Sequence, residues 1–349
     1  MMFSIFKPYI FSLDPEAAHD LAIKGLKINV IPENFFKVDD EHLLQTKIFD
    51  KSFKNPIGLA AGFDKSAEVY NSLFKLGFGF IEVGTITPKK QFGNSKPRVF
   101  RLEKDRALIN RLGFNNDGLE IISERIKKNK PNGILGVNIG PNKTTKDKKE
   151  DFVTCLNLIH NYADYITINI SSPNTEGLRD FHEKKIFESL LEEIRKNCSQ
   201  KKIEKPILIK ISPDIDQNDL SNIIELILKF EIKGIIVANS TDKNKENLLD
   251  KKKSEAGGLT GLPLRDLSTN LIKKFYKELK GKVDIIGVGG VDSGESAFEK
   301  ITSGASLVQL YTGMIYKGPG IVKEIKQDLI KILKSEKINS IDKAVGINS

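Results

Sequence analysis

The stretch "KPILIKISPDIDQNDLSNIIELILKFEIKGIIVANS", residues 205–240, holds the decision about the fold. Its two ends, "KPILIKIS" and "GIIVANS", are short runs of Ile, Leu and Val closed off by Ser or Asn. Such runs read as strands buried on both faces, the habit of parallel sheets. Between them, "QNDLSNIIELILKFE" repeats apolar residues three and four apart, as a helix with one buried side does. The unit is strand, helix, strand.

Six more runs extend the pattern: "NPIGLAAG" (55–62), "GFIEVGT" (79–85), "GILGVNIG" (133–140), "DYITINIS" (164–171), "DIIGVGG" (284–290) and "ASLVQLYT" (305–312). Helical segments such as "SAEVYNSLFKLG" (66–77) and "IFESLLEEIRKN" (186–197) lie between them. Eight β units with intervening helices predict an α/β fold, a (β/α)8 TIM barrel. A doubly wound open sheet is the competing arrangement.

In a barrel the functional residues sit where the strands run out, at the C-terminal face. Asn138, Asn169, Lys210 and Asn239 each fall at or near the end of an apolar run. Any one of them reads equally well as a cap or turn residue; four at matching places argue for a site. An inward Lys210 is costly unless it meets an anion or a polar cofactor.

The first forty residues differ. They carry two short amphipathic helical patterns, the second starting at "SLDPEAAHDLAIKGL" (12–26), with Ser12 or Asp14 as its cap and Pro15 in its first turn. The plain reading is a small N-terminal helical extension packed over the barrel's end. The sharper one is an interfacial membrane patch or an entrance for an apolar ligand. Four lysines against six acids in this segment mean that membrane affinity would rest on apolar burial. The expected division is 1–40 for the extension, 41–336 for the barrel and 337–349 for a tail.

The formal net charge of +9 invites a nucleic-acid reading. The lysines argue against it, because they cluster with acids in hydrophilic runs such as "NKTTKDKKED" (142–151), which read as solvated loops. Two cysteines, Cys155 and Cys198, fall on predicted helices without metal spacing, and the four histidines form no ligand pattern, so no metal is expected. No export leader is read, and no apolar run reaches the ~18–20 residues that span a bilayer.

Three stretches carry chemistry. After the last two strands, Gly289 and Gly290, with Thr312 and Gly313, form glycine-bearing loops where barrels bind phosphate; two tight turns are the alternative. The small residues of "GLAAGFDKS" (58–66) leave room for a flat ring and are followed by Lys65, and "GTITP" (84–88), after the next strand, adds Thr85. "LINRLGFNNDG" (108–118) offers Asn110, Asn115 and Asn116 on a loop, and such amides suit a pyrimidine or a flavin ring. These features alone also fit a phosphate-binding aldolase or isomerase with Lys210 as its amine. A non-enzymatic membrane-surface protein is the third reading. In "NISSPNTEGLRD" (169–180) no histidine or cysteine within the stretch before His182 stands ready to activate a serine.

The chain resembles the dihydroorotate dehydrogenases of the membrane-associated, quinone-using class (class 2). The likeness runs through "SLDPEAAHDLA", "NPIGLAAGFDK", "GTITPKKQFGNSKPRVFRL", "LINRLGFNN", "NISSPNTEGLR", "AGGLTGLPL", "IIGVGGVDSG" and "GASLVQLYTGMIYKGP", in order along nearly the whole sequence. The soluble sister classes generally carry a cysteine in the catalytic loop and lack the N-terminal helices; this chain has serine and the helices. The resemblance implies FMN and the oxidation of dihydroorotate to orotate in pyrimidine synthesis, with a membrane quinone as final acceptor.

It implies Ser172 as catalytic base. FMN contacts would come from Ala61, Gly62, Lys65, Thr85, Asn138, Asn169, Lys210, Gly261, Gly290, Tyr311 and Thr312. Substrate contacts would come from Lys65, the run Asn110, Arg111, Leu112, Gly113, Phe114 and Asn115, and from Asn169, Asn174, Asn239 and Ser240. The quinone would meet His19, Arg101 and Tyr311. Ala238 stands where the family usually has threonine, which removes a side-chain contact to the flavin. A monomer held peripherally on the cytoplasmic face of the inner membrane, with no nucleic-acid partner, completes the expectation.

Overall fold

All eight apolar runs become strands of one closed parallel barrel in the computed structural model, which describes residues 2–32, 35–39 and 41–349. Helices α1 (Met2–Ser12) and α2 (Pro15–Ile28) come first, then a hairpin of β1 (Thr46–Ile48) and β2 (Lys51–Phe53). The barrel opens with β3 (Ile57–Leu59), α3 (Tyr70–Phe74) and β4 (Phe80–Ile86). An excursion follows, β5 (Val99–Leu102) and β6 (Ala107–Asn110), before α4 (Leu119–Lys128). Regular alternation then gives β7 (Ile134–Ile139), α5 (Lys148–Ile159), β8 (Tyr165–Asn169), α6 (Lys184–Lys201), β9 (Ile207–Lys210), α7 (Gln217–Lys229) and β10 (Gly234–Val237). A second excursion contributes β11 (Gly258–Gly261) and α8 (Arg265–Leu279). The chain ends with β12 (Asp284–Val288), α9 (Gly294–Thr302), β13 (Leu307–Leu310), α10 (Thr312–Lys317) and α11 (Ile321–Ser335).

The barrel interior explains the strand sequences. In β8 the outward Ile166 and Ile168 pack against the helices, while Tyr165, Thr167 and Asn169 point inward. The lowest inner layer is apolar: Phe80, Tyr165, Leu208, Ile236, Ile286 and Leu307. Phe53 of the hairpin plugs it from below, edge-on to Phe80 with ring centroids 5.5 Å apart. Gly58 and Gly136 face these aromatics, and a Cβ at either would run into the ring of Phe80 or Tyr165. Small opposite large is how a closed barrel fills itself without a void.

Some local readings change. The helix read over 66–77 shortens to Tyr70–Phe74, because residues 61–69 turn to form the site. The asparagine-rich loop at 108–118 begins as a strand: β6 pairs with β5 and, across the sequence, with β11. Thr85 lies within β4 rather than after it. Asp14, not Ser12, caps α2, its carboxylate accepting from the N–H groups of Glu16 and Ala17, both at 3.0 Å.

Candidate active site

Above the apolar plug the inward side chains turn polar, and they are joined in one network. Glu82 of β4 is fully buried, with its carboxylate accepting from Asn138 Nδ2 (2.8 Å), Tyr165 OH (3.1 Å), Thr167 Oγ1 (3.2 Å) and Gln309 Nε2 (3.1 Å). Four donors from three strands hold this charge, as burial in a barrel demands. One layer higher, Asn138 Oδ1 accepts from Thr85 Oγ1 (2.6 Å) and from Asn169 Nδ2 (3.2 Å). Asn169 Oδ1 in turn accepts from Ser171 Oγ (2.7 Å), and Ser171 Oγ accepts from Asn239 Nδ2 (2.9 Å). The strand-end amides therefore stand in fixed orientations.

These residues floor a chamber of about 370 Å³ at the C-terminal end of the strands. Ala61 and Gly62 after β3, Thr85, Asn169 and Lys210 line it. So do Gly261, Gly290, Tyr311 and Thr312 around the rim. Gly62, at φ +106°, faces open space: a Cβ there would meet nothing nearer than Tyr311 Cε2 at 4.0 Å. That bare backbone is a shelf for something flat. Asn138 sits beneath the chamber rather than in its wall, bracing Thr85 and Asn169.

The antiparallel sheet β5–β6–β11 roofs one side and carries the amides. Asn110, Leu112, Gly113, Phe114 and Asn115 all line the chamber. Arg111 does not: its guanidinium turns outward to Glu255 (2.8 Å) and stacks on Phe100, 4.5 Å from the ring centroid. Opposite them stand Ser172, Asn174, Asn239 and Ser240. Asn174 Nδ2 donates to the Asn110 carbonyl at 3.1 Å, so the two loops close on each other. Ser172 Oγ accepts from Asn174 N at 3.2 Å. Ala238 shows the chamber only its methyl and carbonyl, since its N–H is committed to the Val288 carbonyl at 3.2 Å.

Two lysines face the chamber, Lys210 buried and Lys65 partly so. Burial weakens the hold of Lys210 on its proton, and the Glu82 carboxylate below strengthens it. Lys65 is brought down to about 8 by burial, opposed by Glu16 and Asp20. Lys65 Nζ lies 3.4 Å from His19 Nε2 of α2, and His19 is depressed to about 3 by its own burial and by that lysine. Tyr311 is pushed up to about 12 by burial.

Lys65 and Tyr311 also belong to the wall of a second chamber, of about 300 Å³, between α1, α2 and the barrel. Phe3, Phe11, Leu21, Ala22, Leu26 and Phe63 make it almost wholly apolar. Arg101 enters it from β5, held by the carbonyls of Ile10 and Leu13 and lying over the Phe11 ring at 4.7 Å. His19, Arg101 and Tyr311 therefore come together as expected from the sequence, around one apolar space.

Sequence reading missed Glu82, Gln309 and Arg179. Arg179 ties the serine loop down, donating to the carbonyls of Ser171 (3.2 Å) and Ser240 (3.1 Å) and pairing with Asp214 and Asp242. The available signal was polarity inside a strand: Glu82 in "GFIEVGT" and Gln309 in "ASLVQLYT" break otherwise apolar runs. Two acceptors remain open. Asn115 Oδ1 and Gln309 Oε1 are buried in the chamber's lining without a partner among the described residues. A ligand rich in N–H donors would satisfy them.

Comparison with known proteins agrees with this geometry. A family model described as dihydroorotate dehydrogenase matches residues 43–333. A protein of Christiangramia forsetii named dihydroorotate dehydrogenase (quinone) is 45% identical over 337 residues, covering 94% of this chain and 98% of the relative. The mouse protein named dihydroorotate dehydrogenase (quinone), mitochondrial, is 42% identical over 346 residues, covering 96% and 87%. Among solved structures, DHODH from Eimeria tenella in complex with ferulenol superposes with a TM-score of 0.91 at 37% identity, covering 96% of each chain.

Proposed function

The chain belongs to the dihydroorotate dehydrogenase family, and from that premise we propose how its two chambers divide the reaction. It oxidises dihydroorotate to orotate, a step of pyrimidine synthesis, and delivers the two electrons to a quinone. The larger chamber is the place for FMN and dihydroorotate, and the apolar one for the quinone.

FMN, when bound, supplies the two-electron carrier between the substrates. The bare Ala61–Gly62 shelf, the open Gln309 acceptor and the glycines at Gly261 and Gly290 fit a flat ring with a phosphate tail. Thr85, Asn169, Lys210, Tyr311 and Thr312 would complete its contacts, with Asn138 bracing Thr85 and Asn169 from beneath. Lys210 would place positive charge where a reduced ring needs it, and the Glu82 carboxylate favours that charge against the opposing effect of burial. The substrate's carboxylate and ring amides would be held by Lys65, Asn110, Asn115, Asn174, Asn239 and Ser240, which fixes the carbon to be deprotonated against Ser172. Leu112 to Phe114 would contribute backbone and shape. Ser172 Oγ takes the proton from that carbon as its own hydroxyl proton leaves toward water. The closed loops around it keep this exchange local.

We read residues 1–40 as the quinone-side segment, 41–336 as the barrel and 337–349 as a tail. No helix among the described residues is long and apolar enough to cross a membrane. Exposed Ile5, Phe6 and Tyr9 on α1 and Leu21 on α2 support peripheral docking through these helices. A monomer on the cytoplasmic face of the inner membrane is the arrangement we propose.

One observation carries the reading: Ser172, two lysines and the converging amides face one chamber, and Lys65 and Tyr311 form its wall with an apolar second. The purified protein should be yellow, bleach with dihydroorotate under anaerobic conditions and recover colour with a quinone. A colourless protein that takes up no added FMN would overturn the assignment.

A further inference from the structure

A third space, a cleft of about 420 Å³, lies between α2 and the loops that follow β3, β4 and β6. Unlike the apolar chamber it is densely charged, with Asp20 and Lys24 on one bank and Glu68, Lys90 and Asp117 on the other. Lys65 lies in the wall of all three spaces, and His19 in the walls of the cleft and the apolar chamber. Among the described residues, this junction brings charged surface against both chambers.

Quinone reduction needs protons where the apolar walls admit little water. Overall, dihydroorotate and quinone give orotate and quinol. The two electrons come from dihydroorotate, two C–H bonds break there and two O–H bonds form on the quinone. Ser172, which takes one proton, lines the larger chamber and not the apolar one, so the apolar chamber must draw a proton from elsewhere. Its titratable wall groups are Glu16, His19, Lys65, Arg101 and Tyr311, and an arginine guanidinium does not give up its proton in a protein. Glu16 is locked in a two-pronged pair with Arg98 (3.1 and 2.6 Å) with Lys96 at 3.4 Å, and Tyr311 holds its proton up to about 12. Lys65, with His19 beside it, is left.

We propose that the charged cleft is the proton inlet for quinone reduction, with Lys65 as the proton carrier and His19 as the residue that positions it. This rests on the two-chamber reading above. As electrons arrive, an N–H bond of the Lys65 ammonium breaks and an O–H bond forms on the quinone; the neutral amine regains a proton from cleft water. His19 Nε2, 3.4 Å away, accepts from Nζ and aims it, and remaining neutral it adds no charge to the inlet. The other groups facing Lys65 are Glu16 and Asp20 from α2, Asp64 from its own turn and Arg98 ahead of β5. The acids keep Lys65 charged near neutral pH, while burial makes it a willing donor.

The test uses the full-length, FMN-loaded protein, reduced anaerobically with dihydroorotate. It is then mixed with a short-chain ubiquinone analogue or with ferricyanide, which takes electrons without protons. Reoxidation by the quinone should fall as pH rises through about 8, where Lys65 deprotonates, while the ferricyanide rate stays flat. His19→Phe should slow the quinone reaction about 10²-fold relative to ferricyanide, and His19→Gln, which keeps an acceptor, should recover most of that loss. In the oxidised protein, the lysine side-chain NMR signal of Lys65 should titrate near 8 and move in His19→Phe. Equal slowing with both acceptors, or a quinone rate flat from pH 6 to about 10, would overturn the inlet while leaving the two-chamber reading intact. Failure of dihydroorotate to bleach the protein would overturn both.

Discussion

Replacing Ser172 with alanine separates catalysis from folding, because the structure gives the two effects very different sizes. In the folded protein the hydroxyl accepts one hydrogen bond, from Asn174 N at 3.2 Å, at a residue 6% exposed. Losing a bond of that kind costs about 1 kcal/mol, within the reach of a barrel of this size. A positioned base contributes about 10²–10⁴ in rate, or roughly 3–5 kcal/mol of barrier. Ser172→Ala should therefore keep its fold, its FMN and its affinity for orotate, and lose at least two decades in the reductive half-reaction. The assay is anaerobic stopped flow, following flavin absorbance at saturating dihydroorotate and neutral pH. Ser172→Cys adds a sign: a thiol titrating near ~8.5 should give a rate that climbs with pH as thiolate forms. An alanine variant within tenfold of the parent rate would refute the base assignment, whatever its stability.

Lys210→Met should weaken FMN binding about 10- to 100-fold, the worth of ~1.5–3 kcal/mol for a charged hydrogen bond, and lower sulfite affinity of the bound flavin, both read by absorbance titration. His182, buried and depressed to about 4, takes up its proton in the unfolded chain from about pH 6.5 but in the folded chain only near 4. Unfolding free energy should accordingly fall by about 2 kcal/mol between pH 7 and 5 on its account, and His182→Gln should remove that part of the slope in urea titrations. Asp64, raised to about 6 by burial, works with the opposite sign, so the difference between variant and parent is the quantity to measure. Removing residues 1–40 should leave dihydroorotate-dependent bleaching in place and cut the rate with a long-tailed quinone at least tenfold, since α1 and α2 wall the apolar chamber; unchanged quinone kinetics would refute that chamber's role.

How far the sequence reached follows from the geometry of a barrel. Parallel strands buried on both faces announce themselves as Ile and Val runs, and their ends announce the site. Asn138, Asn169, Lys210 and Asn239 were therefore legible before any coordinates. Glu82 was not, because an acid inside an apolar run gives no clue that four donors converge on it from β7, β8 and β13. The sheet β5–β6–β11 was hidden for another reason: it pairs Asn110 with Gly258, and no local pattern spans that distance. Dense asparagine also masked β6 as loop. Arg111 sits in a motif full of chamber residues, yet its guanidinium turns away to Glu255. Motif membership places a residue near a site without aiming its side chain.

The shared wall between the two chambers has a consequence for inhibition and escape. A ligand of the apolar chamber would meet Phe3, Phe11, Leu21 and Ala22, none of which lines the larger chamber. On the two-chamber reading proposed above those positions make no contact with dihydroorotate, so a change there leaves its binding untouched. Lys65 and Tyr311 border both spaces and lack that independence. Resistance to a blocker of the apolar chamber should then arise on α1 and α2 with the KM for dihydroorotate unmoved. A blocker anchored on Lys65 should leave the organism few ways out, and sequencing resistant isolates against each kind would tell the two apart.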